Sequence, residues 1–220
     1  AMDTWKTIVA ERSDASIDSA GMGVLGRRLS ISYLKNATSQ LEVFDLEGKK
    51  LHDVKLPGVG TVHGPLGRHD EDEAYFVYQS FTTPWEIHAL SMKTAETKLY
   101  TKVSVPVDPS PYTVEQVFYP SKDGTKVSMF IVRRKDLKKD GNNRALLYGY
   151  GGFQQSQTSN FTASIYPWLE RGGVYAVPNL RGGSEYGEAW HQAGMKDKKQ
   201  NVFDDFVAAA EHLFREGYTR

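Results

Sequence analysis

In the first half of the chain, apolar and polar residues alternate in short runs that are separated by turn residues. This period of two predicts β-strands, because successive side chains of a strand point to opposite faces. A short run at the start, Trp5 to Val9, is predicted to be the last strand of a preceding unit. The other predicted strands are residues 29–33, 40–44, 51–56, 74–78, 85–88 and 98–101.

Two stretches of this half resemble each other. The segments Tyr33 to Leu46 and Tyr78 to Leu90 each contain a strand, a polar turn and a second strand that includes Glu-[Val/Ile]-x-x-Leu. They lie roughly 45 residues apart, which is a typical period for β-propeller blades. The repeat predicts about two blades, with two unrelated hairpins of a β-sandwich as the alternative. Two blades cannot close a propeller, so we expect further blades before this chain.

The pattern changes after Asp108 to Pro111. Strands now alternate with helices, which is typical of a parallel sheet covered by helices. We therefore divide the chain into residues 1–110, the C-terminal part of a β-propeller, and residues 111–220, the N-terminal part of an α/β-hydrolase domain. The predicted elements are a hairpin of residues 113–119 and 126–132, strands at 145–148 and 174–177, and helices at 161–171 and 202–215.

The helix at 202–215 carries the strongest helical periodicity. Asn201 is a candidate N-cap, and Asp204 and Asp205 suit the first turn. Its apolar residues recur on one side, so this side is predicted to be buried. They are Val202, Phe203, Phe206, Val207, Ala210, Leu213 and Phe214.

Composition excludes several classes of function. The chain has no cysteine, which rules out disulfides, thiolate metal sites and a cysteine nucleophile and fits a reducing compartment. Its 27 basic and 27 acidic residues cancel, so no overall charge favours nucleic acid or a membrane surface. The N-terminus does not resemble a signal peptide, and no histidine pair has metal-ligand spacing. We expect a cytoplasmic protein that uses no metal or cofactor and binds neither nucleic acid nor membrane.

The most informative stretch is Leu146 to Phe153, where an apolar strand ends in a loop that alternates glycine with aromatic residues. Glycine permits close approaches and backbone conformations that other residues avoid. In an α/β-hydrolase, the loop at this place supplies part of the oxyanion hole, and a tyrosine hydroxyl can be one of its donors. The position of the loop alone supports two interpretations equally. The loop either contributes to an oxyanion hole, or its glycines only permit a tight turn while its aromatic residues pack.

The sequence contains no Gly-x-Ser-x-Gly nucleophile motif. Ser184 lies in the nearest match, but Tyr186 follows where the closing glycine is needed, and no strand-to-helix elbow precedes it. In hydrolase order, the nucleophile elbow follows the strand after helix 202–215, and the acid and histidine come later. We therefore expect the catalytic Ser, Asp and His beyond Arg220, and the 220-residue chain alone to be inactive.

A second glycine-rich loop, Pro178 to Gly187, contains charged residues that can brace it. We predict an ion pair between Arg181 and Glu185. His191, which follows this loop, is predicted to have a structural role.

Three motifs resemble the prolyl oligopeptidase (prolyl endopeptidase) family. They are Leu147 to Phe153, Asn179 to Gly187 with Trp190 and His191, and Lys198 to Phe206. The likeness covers essentially all of residues 112–220, and the first half resembles more diffusely the last part of that family's seven-bladed propeller. The second loop departs from the family at Ser184, where a third glycine is more usual.

This resemblance implies a serine endopeptidase that cleaves short peptides after proline through an acyl-enzyme, without a cofactor. By the resemblance, Tyr150 is the hydroxyl donor of the oxyanion hole, and Phe153 is a wall of the pocket that holds the proline ring. Its partners would be short proline-containing peptides and the remaining segments of the same enzyme. The alternatives are an oligopeptidase of basic specificity and a non-catalytic propeller binding module.

Overall fold

The alternating runs of the first half form two four-stranded antiparallel sheets in the computed structural model, which describes residues 4–220. In both sheets, strands that are consecutive in sequence are neighbours in space. The first sheet consists of β1 (Ser16–Leu25), β2 (Arg28–Lys35), β3 (Thr38–Phe44) and β4 (Lys50–Val54). The second consists of β5 (Thr61–Gly67), β6 (Glu73–Gln79), β7 (Glu86–Ser91) and β8 (Thr97–Lys102).

The sequence pattern did not predict the first strand of either sheet. Both β1 and β5 lie at a sheet edge and contain glycine, and β5 also contains Pro65. Their pairing registers shift, between Ile17 and Met22 in β1 and between His63 and Leu66 in β5. Such irregularities interrupt the alternation by which strands are recognised. The predicted strand from Trp5 to Val9 is wrong, since these residues form no strand.

Apolar side chains of both sheets pack into one core, to which the inward positions of the alternating strands contribute. The first sheet supplies Leu25, Leu41, Val43 and Val54. The second supplies Val62, Ala74, Phe76, Tyr78 and Leu90. The repeated sequence pattern therefore corresponds to two similar sheets stacked against each other.

A third sheet forms the second half. It contains β9 (Tyr112–Pro120), β10 (Lys126–Arg134), β11 (Ala145–Leu147) and β12 (Val174–Pro178), in the spatial order β11-β12-β10-β9. The predicted hairpin is present as β9 and β10, but β12 also runs antiparallel to β10. Only β11 and β12 are parallel, because only this pair is joined by a crossover that contains a helix. The expectation of a parallel sheet is therefore met only for that pair.

The predicted helix at 161–171 is shorter than expected. A 3₁₀ turn at Ala163–Ile165 leads into α1 (Tyr166–Glu170). Residues 157–162 form no helix, and polar groups among them bind the first half of the chain; for example, the amide of Phe161 donates to the side chain of Gln79. Gly172 then ends this region with a positive φ of 76°, as its position predicted.

The helix predicted at 202–215 is α3 (Gln200–Arg215), and a shorter helix, α2 (Glu188–Gln192), precedes it. The predicted buried face of α3 is partly wrong, because Phe203, Val207 and Phe214 are exposed. The buried side instead includes Asp205 and His212 with Val202, Ala209 and Leu213. Asp205 can be buried on this side because it forms an ion pair with Arg181. Asn201 does not cap the helix but donates from its side chain to the carbonyl of Ala193.

The two halves also share an apolar core. Ala37 and Phe81 of the first half are buried in one cluster with Phe130, Tyr166 and Val177 of the second half. The ring of Phe81 meets the ring of Phe130 edge to face, with centroids 5.6 Å apart. The hydroxyl of Tyr166 donates to the carbonyl of Thr82 at 2.7 Å, so polar contacts reinforce the junction.

Candidate active site

The glycine–aromatic loop begins where β11 ends. The amide of Tyr148 still donates to the carbonyl of Ala176 at 2.9 Å, and residues 148–162 then run without a helix or strand. Gly151 is required here, since its φ is 60° and a Cβ at this position would lie 2.4 Å from Cγ1 of Val202 and 2.8 Å from Cβ of Leu180. The glycine thus lets the loop lie directly against α3 and the second glycine loop.

Both predicted site residues lie on the surface of this loop. Tyr150 is 47% exposed and Phe153 is 84% exposed. In the described part of the chain, no group hydrogen-bonds the hydroxyl of Tyr150, so this donor is free for a ligand. Phe153 and Gln154 both have positive φ values, 49° and 57°, which are uncommon for residues other than glycine. Strain of this kind is found at sites where the surrounding structure fixes the backbone.

The second glycine loop holds the first one in place. The amide of Gln154 donates to the carbonyl of Gly182 at 3.2 Å. The hydroxyl of Ser184 donates to the carbonyl of Gln154 at 2.8 Å and lies 2.9 Å from the hydroxyl of Ser156. From the other side, Nζ of Lys199 donates to the carbonyl of Gly151 at 2.6 Å. The hydroxyl of Ser184 is therefore engaged in contacts between the two loops.

The peptide groups of Gln157 are bound on both sides by buried side chains. Its amide donates to Oε1 of Glu185 at 2.7 Å, and its carbonyl accepts from Nδ2 of Asn179 at 2.6 Å. Glu185 is only 1% exposed, and this burial raises the pKa of its carboxyl to about 7. A chain of hydrogen bonds from the hydroxyl of Tyr186 through Ser128 to Oδ1 of Asn179 fixes the other side.

The predicted ion pair between Arg181 and Glu185 is wrong. Arg181, which is 4% exposed, instead binds Asp205 of α3 with an Nη2–Oδ1 distance of 2.6 Å. Its Nη1 also binds Asp123 of the β9–β10 turn at 2.6 Å, which lowers the pKa of Asp123 to about 2. Tertiary packing brings two carboxylates from distant parts of the sequence to this guanidinium, whereas Glu185 turns to the backbone of Gln157. Arg181 thus ties the second loop to the hairpin and to α3.

His191 contacts the backbone of the second glycine loop, and its structural role stays a prediction. Its Nδ1 lies 2.8 Å from the carbonyl of Gly182, so this nitrogen carries the proton and donates to the loop. His191 and Phe153 line a small cavity of about 330 Å³ together with Met195 and Lys199.

A larger cavity of about 730 Å³ lies between the two halves of the chain. The first half contributes Ile17, His63 and Gly64 to its wall, and the glycine–aromatic loop contributes Gln154 and Ser156. This cavity places the loop residues beside Phe153 next to the irregular edge strands β1 and β5.

Gln79, which the sequence analysis missed, connects the two halves at this cavity. It is buried at the end of β6, and its Nε2 donates to Oδ1 of Asn160 at 2.9 Å. Its Oε1 accepts from the amide of Phe161 at 3.0 Å and from Nε1 of Trp85 at 2.9 Å. The only sequence signal was a glutamine in an otherwise apolar strand, which by itself does not indicate a contact to a distant segment.

Across residues 4–220, no group of three or more His, Cys, Asp or Glu side chains is arranged to hold a metal ion. None of the helices in this part of the chain has the length and apolar character needed to cross a membrane. The described site offers a hydroxyl donor and an exposed aromatic ring on a braced loop.

Comparison with protein families gives a match in each half. The family model "Prolyl oligopeptidase, N-terminal beta-propeller domain" matches residues 1–103, and the model "Prolyl oligopeptidase family" matches residues 159–220. The first half is therefore part of a propeller, and the second half belongs to the hydrolase part of that family. The loop with Tyr150 and Phe153 lies between the two matched ranges.

Curated relatives match almost the entire chain. It is 44% identical over 217 residues to the prolyl endopeptidase of Elizabethkingia miricola, covering 99% of this chain and 30% of that protein. It is 37% identical over 192 residues to the dual function macrocyclase-peptidase of Galerina marginata, covering 84% of this chain and 26% of that protein. The chain thus spans about 30% or less of the length of these relatives.

Solved structures agree with the sequence comparison. A structure described as "Structural and Mechanistic Analysis of Two Prolyl Endopeptidases: Role of Inter-Domain Dynamics in Catalysis and Specificity" is 57% identical, with a TM-score of 0.92 over 100% of this chain and 32% of the other. Prolyl oligopeptidase B from Galerina marginata, bound to a 25mer macrocyclization substrate, is 32% identical with a TM-score of 0.88, over 96% and 30% of the two chains. The chain therefore belongs to the prolyl oligopeptidase family.

Proposed function

We propose that this chain is a segment of a serine endopeptidase that cleaves short peptides after proline through an acyl-enzyme. The observation that carries the proposal is the braced loop after β11, which exposes a free tyrosine hydroxyl and a phenylalanine ring three residues apart. The names of the relatives, prolyl endopeptidase and prolyl oligopeptidase, support the same activity.

Tyr150 is proposed as the hydroxyl donor of the oxyanion hole. When a nucleophile attacks a peptide carbonyl, negative charge develops on the oxygen, and a donor held in place beforehand stabilises that charge without reorganisation. The hydroxyl of Tyr150 is bonded to no group within residues 4–220, and the backbone next to it is fixed by Lys199 at the carbonyl of Gly151. A fixed backbone with a free donor is the arrangement that this role needs.

Phe153 is proposed as a wall of the pocket that holds the proline ring of the substrate. Its ring is 84% exposed. Burial of an apolar side chain is favourable, so contact of a substrate with this ring stabilises the complex. Both phenylalanine and proline are rigid and apolar, so little conformational entropy is lost on contact.

The remaining parts of the proposal concern the whole enzyme. The two sheets of the first half are proposed to be two blades of a seven-bladed propeller, and the boundary with the hydrolase domain is placed between residues 110 and 111. The catalytic Ser, Asp and His are proposed to lie in other segments of the same enzyme, which is in line with the greater length of the relatives. We propose that the whole enzyme is cytoplasmic and that its substrates are short proline-containing peptides. We also propose that it uses no cofactor and binds neither nucleic acid nor a membrane.

Two substitutions in the full-length enzyme test the two roles separately. Tyr150→Phe should lower kcat by about 10²–10³-fold with little change in KM, because it removes one transition-state donor. Phe153→Ala should lower the preference in kcat/KM for proline over alanine before the cleaved bond by at least about tenfold, because it removes apolar contact with the ring.

Matched controls are available on the same surface. Tyr148→Phe changes a tyrosine that is equally exposed, two residues earlier, and Phe214→Ala changes an exposed phenylalanine on α3. Both should leave kcat and selectivity within about twofold of the parent enzyme, as surface changes usually do. A Tyr150→Phe variant with unchanged kcat would refute the oxyanion role, and an enzyme that prefers lysine or arginine would refute the proline specificity. Complete absence of hydrolysis by the intact enzyme would favour the non-catalytic binding module.

A further inference from the structure

The loop that carries Tyr150 and Phe153 has little structure of its own. Within residues 149–157, the described structure contains one backbone hydrogen bond that joins two residues of the loop. The amide of Gln155 donates to the carbonyl of Gly152 at 2.9 Å. Glycine-rich backbone without internal hydrogen bonds populates many conformations. The position of the loop therefore depends on contacts that other segments make with it.

Most of those contacts lie at the solvent-accessible part of the loop. The bonds of Ser184 to Gln154 and Ser156 are at least partly exposed, so water competes for the same groups. Gln157 differs, because the side chains that bind it, Glu185 and Asn179, are 1% and 0% exposed. A hydrogen bond to a buried side chain competes less with water than one at the surface, and its loss leaves a buried group unpaired.

Glu185 is placed to act as the anchor at this end of the loop. Its Oε1 accepts from the amide of Gln157 at 2.7 Å, at the short end of the range for N–H···O bonds. Its Oε2 is also buried, and no described residue hydrogen-bonds it. Burial of a carboxyl oxygen without a hydrogen-bond partner lowers the stability of the fold. Because this carboxyl lies against the loop of the candidate site, its burial suggests a function other than stability.

We infer that Glu185 is a positioning residue, whose buried carboxyl fixes the peptide group of Gln157 and thereby holds Tyr150 and Phe153 in place for the reaction. The inference rests on the proposed function, because it assigns to Glu185 the support of the oxyanion donor and of the proline pocket. Glu185 itself acts through the backbone of the loop and touches no reacting atom.

The test combines kinetics of the full-length enzyme with hydrogen exchange. Glu185→Ala should lower kcat by about 10–100-fold, since displacement of a catalytic group by about 1 Å has effects of this size. Glu185→Gln keeps an oxygen that accepts from Gln157, so it should recover most of this loss. In hydrogen–deuterium exchange, the amide of Gln157 should exchange at least about tenfold faster in Glu185→Ala than in the parent, as expected when the hydrogen bond that protects an amide is lost. The control is Glu211→Ala on α3, where the glutamate is exposed and which should change neither quantity by more than about twofold.

A double-mutant cycle separates positioning from a general structural effect. If Glu185 acts through Tyr150, Glu185→Ala should lower kcat much less in a Tyr150→Phe background than in the parent enzyme. An equal decrease in both backgrounds, or unchanged exchange at Gln157, would overturn the inference. Where Glu185→Ala does not fold, Glu185→Leu keeps much of the side-chain volume without the acceptor and supplies the same comparisons, and parent-like values of kcat and exchange in that variant would overturn the anchor. If Tyr150→Phe alone has no effect, the proposed function fails instead, and the exchange of Gln157 still decides whether Glu185 anchors the loop.

Discussion

Arg181 is predicted to be the most sensitive residue for the stability of the second glycine loop. Its guanidinium is buried and contacts Asp205, whose side chain is completely buried, with Nη2–Oδ1 and Nε–Oδ2 distances of 2.6 and 3.0 Å. The same guanidinium reaches Asp123 and the hydroxyl of Ser121 on the β9–β10 turn. The substitution Arg181→Met keeps much of the side-chain volume and removes all of these hydrogen bonds.

The magnitude follows from what is left behind. In Arg181→Met, the carboxylate of Asp205 stays buried. Its Oδ2 still accepts from the backbone amide of residue 181 at 3.1 Å, but the guanidinium donors are gone. Removal of one partner of a buried ion pair costs about 3–5 kcal/mol, because an uncompensated charge is left in the interior. Asp123 adds little, since its side chain is 48% exposed and water replaces the lost contact. Replacement of both buried partners, in Arg181→Met with Asp205→Leu, should recover most of the loss, because no buried charge remains.

The assay is urea unfolding of the 220-residue chain at pH 7, followed by circular dichroism. The single variant should have a free energy of unfolding lower by about 3–5 kcal/mol, and the double variant should lie within about 1–2 kcal/mol of the parent. The control is Arg68→Met, which removes an exposed ion pair with Glu71 and should change the free energy by less than about 1 kcal/mol. A single variant within about 1 kcal/mol of the parent, or a double variant as unstable as the single one, would contradict the argument from buried charge.

Two further predictions concern Glu185 and Gln79. Because the pKa of Glu185 is raised from 4.5 to about 7 in the folded state, its protonated form is favoured on folding, and its contribution to stability is lost as pH rises between these values. The free energy of unfolding of the parent relative to Glu185→Gln should therefore fall by up to about 3 kcal/mol between about pH 4.5 and 8; a difference that does not change with pH would refute the raised pKa. Gln79→Ala should leave the amide of Phe161 and Nε1 of Trp85 without their acceptor and loosen the junction of the two halves. Limited proteolysis should then cut residues 148–162 several-fold faster than in the parent or in the exposed control Gln155→Ala, and an unchanged rate would exclude this role for Gln79.

Much of the fold was predictable because a strand or helix that buries one face carries apolar residues at regular intervals along its sequence. Strands β2, β3, β6 and β7 have regular alternation, and the strand and the glycines that frame Tyr150 and Phe153 were apparent from the sequence. The edge strands β1 and β5 were not predictable in this way. Their glycines and register shifts break the alternation, and their pairing with β2 and β6 compensates for it.

The polar contacts around the candidate site show where sequence reasoning stops. Arg181 and Glu185 are close in sequence and opposite in charge, which favoured a local ion pair. In the folded chain Arg181 binds Asp205 and Asp123 instead, and Glu185 binds the amide of Gln157. A buried charged side chain pairs with the group that tertiary packing places within about 3 Å of it. Separation in the sequence does not show which group this is.

Local sequence was sufficient to specify the regular strands of the two repeated sheets, the change to an α/β pattern near Pro111, and the glycine–aromatic loop with Tyr150 and Phe153. These features depend on periodicity and on glycine, whose effects act within a few residues. The way that loop is held, through Glu185 and Lys199 among others, became apparent only in the folded chain. Such contacts join segments tens of residues apart, and the strength of each depends on burial, which exists only once the chain has folded.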